Sequence, residues 1–333
     1  MTPVVGLFLL GILLLIFDDW RIGLFLVIGT QAFAALNSHF LAKRRWQLGA
    51  DGVFMRRALK FGLPLMLNSL LLYAILNGDR LIVSNQLGLE ALAFISIALG
   101  MAQVPVGLFA KVHQTMFLPK LARAQDDDAA FERPMILAFE SRMVMAVFAA
   151  LLLSILGPDL VRLIYGEKYG AIGTLVIWAG LFHAIRIMKG APSTVAVSKG
   201  YTTNPLLANL LRVASLPLAF WAVVQGASLV QVLMIAAAAE TLAFGLSLWL
   251  LQRALGGKLP PQIWRGTVVT LAVFVLIALD VAIFPPDVGL FTHYHWAQIG
   301  LVLAGLAAIW AMAEMRDWMF NTARRIVKRR TRG

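Results

Sequence analysis

The chain reads as an all-α, polytopic helical membrane protein with about ten transmembrane helices, and three features of the sequence predict this. Hydrophobic residues make up 60% of the 333 residues and charged residues only 14%, whereas about a quarter of a soluble domain is charged. Mean hydropathy is +0.81, and the apolar residues fall into runs approaching the length of about 20 residues that a bilayer core requires of a helix. The net charge of +12 gathers in short stretches between those runs, which marks cytoplasmic loops rather than a surface for nucleic acid. The chain has no cysteine, which excludes disulfides, thiol nucleophiles and cysteine-based metal sites.

The expected spans, one to ten in order, are 3–17, 22–41, 63–87, 91–112, 136–156, 171–189, 205–224, 229–251, 267–284 and 297–313. The first is short for a full crossing, and the third and eighth are long enough to tilt. Met1-Thr2-Pro3 leads straight into an apolar run with no basic n-region or small-residue cleavage site, so the start does not resemble a removable signal peptide. Lys and Arg concentrate in one set of alternate loops and in the tail after Ala313, about 22 against 3 on the opposite side, which places both termini in the cytoplasm. Trp20 and Trp296 fall at outer edges and Trp264 and Trp318 at inner ones, as an aromatic belt would have them.

The longest loop, 113–135, contains Leu118-Pro119 and then Asp126-Asp127-Asp128. A triple Asp can hold a Mg²⁺-pyrophosphate, but a solvated, helix-capping charge run is the simpler reading. His293 and His295 in the outer loop 285–296 form a His-x-His pair with only Asp287 nearby, too few ligands for a metal site. No metal and no cofactor are expected.

Ionisable groups inside hydrocarbon are costly and mark functional candidates. In span three, Ser69, Tyr73, Asn77, Arg80 and Ser84 fall within about 80° of one another at 100° per residue, a polar stripe that must line a cavity or a neighbouring helix. Asn68, Asp79 and Gln86 form a second line, so Asp79 and Arg80 should meet different neighbours. In span four, Ser96, Gly100, Gln103 and Gly107 share a face beside Pro105, which suggests close helix packing at a kink. Span seven opens with Asn204-Pro205, an N-cap followed by a first-turn proline. Arg212 and Glu240 lie about 12 and 11 residues from the turn at Gly226, hence roughly 17 Å deep in antiparallel neighbours, and can pair as a structural salt bridge or as an ion-coupling site. Arg186, three residues after His183, is expected to snorkel to the cytoplasmic edge.

The stretches Arg57-Ala-Leu-Lys-Phe-Gly-Leu-Pro-Leu, Asn77-Gly-Asp79-Arg80-Leu-Ile-Val and Leu87-Gly88-Leu-Glu90-Ala-Leu-Ala resemble the start of the second six-helix lobe of O-antigen and exopolysaccharide flippases. These belong to the multidrug/oligosaccharidyl-lipid/polysaccharide superfamily. Gly166-Glu-Lys-Tyr169 resembles an outer loop of the same family. The resemblance covers residues 57–251 and implies residues 1–45 as the end of a first lobe, 46–255 as the second six-helix lobe, and 256–333 as an added helix pair with a basic cytoplasmic tail. Such transporters have twelve to fourteen spans, so about four helices of the first lobe would lie outside this chain.

The resemblance further implies a non-enzymatic transporter of the bacterial inner membrane that flips an undecaprenyl-pyrophosphate-linked glycan by alternating access. The glycan polymerase and chain-length proteins are its implied partners, besides membrane lipids. Ser69, Tyr73, Asn77, Arg80 and Arg212 are the candidates for the substrate path, and Asp79, Arg186 and Glu240 for a buried ion pair or coupling site. Two other functions fit the composition: a drug or cation antiporter of the same superfamily, and an integral-membrane glycan polymerase or ligase. The outer loops offer the latter few polar groups beyond Asp159, Arg162, Glu167 and Lys168.

Overall fold

The computed structural model of the chain describes residues 21–41, 51–257, 259–286 and 296–330, and every regular element among them is helical. In order these are α1 (Arg21–Leu41), α2 (Gly52–Gln86), α3 (Gly88–Arg123), α4 (Asp128–Ile155), the short α5 (Gly157–Tyr165), a 3₁₀ turn (Glu167–Ile172), α6 (Gly173–Ser198), α7 (Thr203–Val213), α8 (Ser215–Val224), α9 (Leu229–Ala254), α10 (Pro261–Ile283), α11 (Trp296–Trp310) and α12 (Ala313–Arg330). Among the described residues, seven stretches are long and apolar enough to cross a membrane: α2, α3, α4, Glu167–Ser198, Thr203–Val224, α9 and α10. They correspond to expected spans three to nine. Span ten is a 15-residue helix, α11, joined to α12 through a 79° bend. Span two is the 21-residue α1, and span one lies outside the described residues.

The chain forms two compact units, Met1–Arg57 and Ala58–Gly333. In the first, Asn37 Nδ2 donates to Phe33 O and Ser38 Oγ to Ala35 O along α1, so these polar side chains are satisfied by their own helix, as a lipid environment demands.

The second unit is built around α6, which packs against α3, α4 and α9, while α10, α11 and α12 pack on α4 and α7 packs on α9. Small residues let these backbones approach. A Cβ on Gly180 of α6 would stand 2.8 Å from the Cβ of Leu153 on α4, and Ala179, Ala184 and Ala196 are fully buried. Burial falls sharply from the centre outward: 78% of the apolar window of Glu167–Ser198 is buried but only 6% of that of α2. α2 is therefore the helix that presents a broad face outward.

Helices run further than apolarity alone indicates. The expected loop 113–135 is nearly all helix, because α3 continues through Pro105 and Pro119 to Arg123 and α4 starts at Asp128. Within the four-residue turn, the Asp127 side chain accepts from the backbone N–H of Ala129 and Ala130, and Asp128 pairs with Lys199 at 2.9 Å. The triple Asp thus does what a capping charge run does. α7 starts at Thr203, before Asn204-Pro205, with no side-chain cap. Asn204 reaches across instead, donating to Ser247 O at 2.8 Å and accepting from Ser247 Oγ at 2.6 Å. Polarity at depth outweighed the capping preference. At the Gly226 turn (φ +90°), Ser228 and Gln231 close a capping box on α9. The expectation of close packing at Gly100 and Gly107 fails, since nothing lies within 4 Å of a Cβ at either; Ile95, Ala98 and Ala102 form the buried face of α3 instead.

Candidate functional site

A fully buried arginine on α7 organises the site. Arg212 is 0% exposed, and a charge at that depth must be met on all sides. Its Nη2 lies 2.9 Å from Asp79 Oδ2 on α2, and its Nε lies 3.4 Å from Glu240 Oε2 on α9. Nη1 donates to Ser215 Oγ at 2.6 Å, and the Phe182 ring of α6 lies 5.5 Å from the guanidinium carbon. The α7–α8 break at Ala214 makes the Ser215 contact possible: the Ser215 hydroxyl donates to Arg212 O at 2.7 Å while accepting from the guanidinium.

Glu240, also 0% exposed, has a nearer partner than Arg212. Lys189 Nζ of α6 stands 2.6 Å from Glu240 Oε1 and donates to Asn209 Oδ1 at 2.7 Å. Asn209 Nδ2 then donates to Asn68 Oδ1 at 2.7 Å. One connected network therefore ties α2, α6, α7 and α9 together. Arg186, one turn before Lys189, lies within electrostatic reach of both Asp79 and Glu240. Among the described residues, two carboxylates here face three cations, with Arg80 beside them.

Asp79 and Asn68 are the polar tethers that hold α2 to the unit, and Gly78 lets Leu216 lie against it, since a Cβ there would be 2.6 Å from Leu216 Cδ1. The other line on α2 faces outward. Ser69 is exposed, Tyr73 is 71% exposed, and Asn77, Arg80 and Ser84 are half-buried. Ser69, Asn77 and Ser84 donate to carbonyls of their own helix. Arg80 lines a narrow crevice with Asp79, Gln103, His183 and Arg186, of about 10 Å³, the room of a single water. Its Nε makes no hydrogen bond among the described residues.

The structure thus brings Asp79, Arg212, Glu240 and Arg186 together, sets Arg80 at their edge, and leaves Ser69 and Tyr73 on the open face. Several expectations are corrected. Arg186 turns inward rather than snorkelling. Lys189, the last residue of expected span six, is not at a helix end, because α6 continues through Pro192 to Ser198. Asp159 and Arg162 are buried and 3.5 Å apart rather than presented in a loop. His113, placed in a loop by sequence, is buried with its Nε2 2.9 Å from Ala138 O. His293 and His295 lie outside the described residues. Sequence reasoning missed Lys189 and Asn209; the signal was the His183, Arg186, Lys189 spacing of three, hidden by ending span six at Lys189.

A protein-family model described as polysaccharide biosynthesis protein matches residues 4–174, just over half of the chain. The amylovoran biosynthesis protein AmsL of Erwinia amylovora is 30% identical over 127 residues, 37% of this chain and 32% of that protein. The similarity thus spans about a third of the relative's length. No solved structure matches the chain.

Proposed function

Because the chain belongs to the polysaccharide biosynthesis protein family, we propose that it moves a polyprenyl-pyrophosphate-linked oligosaccharide from the cytoplasmic to the periplasmic leaflet of a bacterial inner membrane by alternating access. The observation that carries this reading is a surplus of cations, two buried and two half-buried, gathered at α2. Among the described residues, Lys189 and Arg212, which are buried, and Arg80 and Arg186, which are half-buried, gather around two carboxylates, Asp79 and Glu240. A surplus of positive charge at low dielectric favours an anion, and a pyrophosphate is the anion such a lipid carries. Because α2 is tethered mainly by Asp79 and Asn68 and otherwise little buried, it can shift against α6 at the cost of few contacts.

No bond is made or broken in this reading, so the chain is a transporter and not an enzyme. In it, α2 to α9 form one lobe, and α10 to α12 add a helix pair and a basic tail. Reconstituted into vesicles with a fluorescent lipid-linked oligosaccharide, the protein is expected to equalise the two leaflets without lengthening the glycan. Glycosidic bond formation in the same vesicles would replace the transporter by a polymerase.

Orientation follows from loop charge: with Lys189 inside α6 and Arg162 buried, about 21 cations stand against 2. A phosphatase fused after Arg332 is expected to be inactive and a cytoplasmic reporter at the same position active; the opposite pattern inverts the topology.

A further inference from the structure

A second cationic site lies away from the network, where α3 ends, α4 begins and α12 crosses them. α12 bends by 79° away from the direction of α11. Its sequence sets six cations, Arg316, Arg324, Arg325, Lys328, Arg329 and Arg330, against two carboxylates, Glu314 and Asp317. The start of the helix is fixed to the bundle. Met315 N donates to Glu140 Oε2 at 2.7 Å, Glu314 Oε2 lies 3.3 Å from Arg133 Nε, and Trp310 meets Phe320 edge-on at 6.3 Å.

Beneath α12 is an open crevice of about 300 Å³, lined by Lys120, Arg133, Trp318 and Asn321 over a floor that includes Phe117 and Leu137. Lys120 is exposed, and its Nζ sits 5.7 Å from the centre of the Phe117 ring. Among the described residues Arg133 has one carboxylate partner, Glu314, and its side chain is largely exposed. Asp317 is held by Arg316 at 3.4 Å, so it does not neutralise the rim.

We infer that this crevice binds the headgroup of an anionic phospholipid, with Lys120 and Arg133 on the phosphate, Asn321 and Trp318 as polar neighbours, and the apolar floor receiving the first carbons of the acyl chains. The amphipathic lining selects a lipid over a soluble anion. Basic pockets between transmembrane helices at the interface take lipid headgroups in this way. The site uses α3, α4 and α12, none of which contributes a side chain to the Arg212 network, so it stands whatever the protein transports.

The full chain in detergent, titrated with phosphatidylglycerol or with phosphatidylcholine of the same acyl chains and followed by native mass spectrometry, tests this. Phosphatidylglycerol is expected to be retained preferentially. The Lys120→Gln/Arg133→Gln protein should bind it about 25-fold more weakly, at roughly a factor of five for each cation. Glu314→Gln, which releases Arg133 from its carboxylate, should bind it more tightly, and this opposite sign guards against a folding artefact in the double variant. Equal retention of the two lipids, or unchanged phosphatidylglycerol affinity in the double variant, overturns the inference. So does inorganic pyrophosphate displacing the lipid at equal concentration, which would make the site one for a soluble anion.

Discussion

Glu240→Gln is expected to cut the yield of folded protein severely, by the roughly 3–5 kcal/mol that follows when one partner of a buried ion pair is removed. Glu240 is fully buried and sits 2.6 Å from Lys189 Nζ and 3.4 Å from Arg212 Nε. Without its charge, two cations remain in the interior with Asp79 as their nearest counter-charge. Lys189→Met removes one of those cations and keeps an unbranched, apolar side chain of similar length. The double variant should therefore unfold at a higher temperature than Glu240→Gln alone, although Asn209 Oδ1 loses the Lys189 donor. Thermal unfolding in detergent across the four proteins of the cycle measures the coupling directly. Strictly additive losses would mean that the 2.6 Å contact carries no interaction energy.

The fold class was legible because the membrane imposes it: a run of apolar residues approaching 20 has almost no alternative to a helix. Helix ends were less legible. Apolarity stops at Val112, yet α3 continues to Arg123, because nothing about leaving hydrocarbon obliges a helix to end. Likewise α2 begins at Gly52, well before expected span three at 63–87, and carries Arg56, Arg57 and Lys60 within it.

The site was legible in part. Depth counted from the Gly226 turn brought Arg212 to Glu240, since two antiparallel helices joined by a tight turn fix relative height. Depth alone does not say which other helix stands beside them. The pairing of Arg212 with Asp79, 133 residues away, depends on how α2 packs, and helical periodicity contains no information on that. Periodicity separated Asp79 from Arg80 in part: Asp79 pairs with Arg212 of α7, whereas Arg80 stands outside that pair, although both line the crevice. It also mistook the purpose of Gly100 and Gly107, because small residues suit an open face as well as a tight contact.

Arg80 carries the central claim, that the substrate path runs along the outward face of α2. Its guanidinium can hold two phosphate oxygens through parallel hydrogen bonds, which a lysine cannot. Its Nε makes no hydrogen bond among the described residues, so a ligand need not displace a partner there. Hydrogen bonds to charged groups contribute about 1.5–3 kcal/mol, so Arg80→Ala should lower surface glycan by roughly ten- to a hundredfold and Arg80→Lys by less. The deciding measurement is surface glycan display divided by the amount of folded protein, both taken from the same cells, for wild type, Arg80→Lys and Arg80→Ala. A graded fall in display at near-normal abundance is the expected result. Display that falls only in proportion to abundance, or full display for Arg80→Ala at normal abundance, would contradict a path through Arg80.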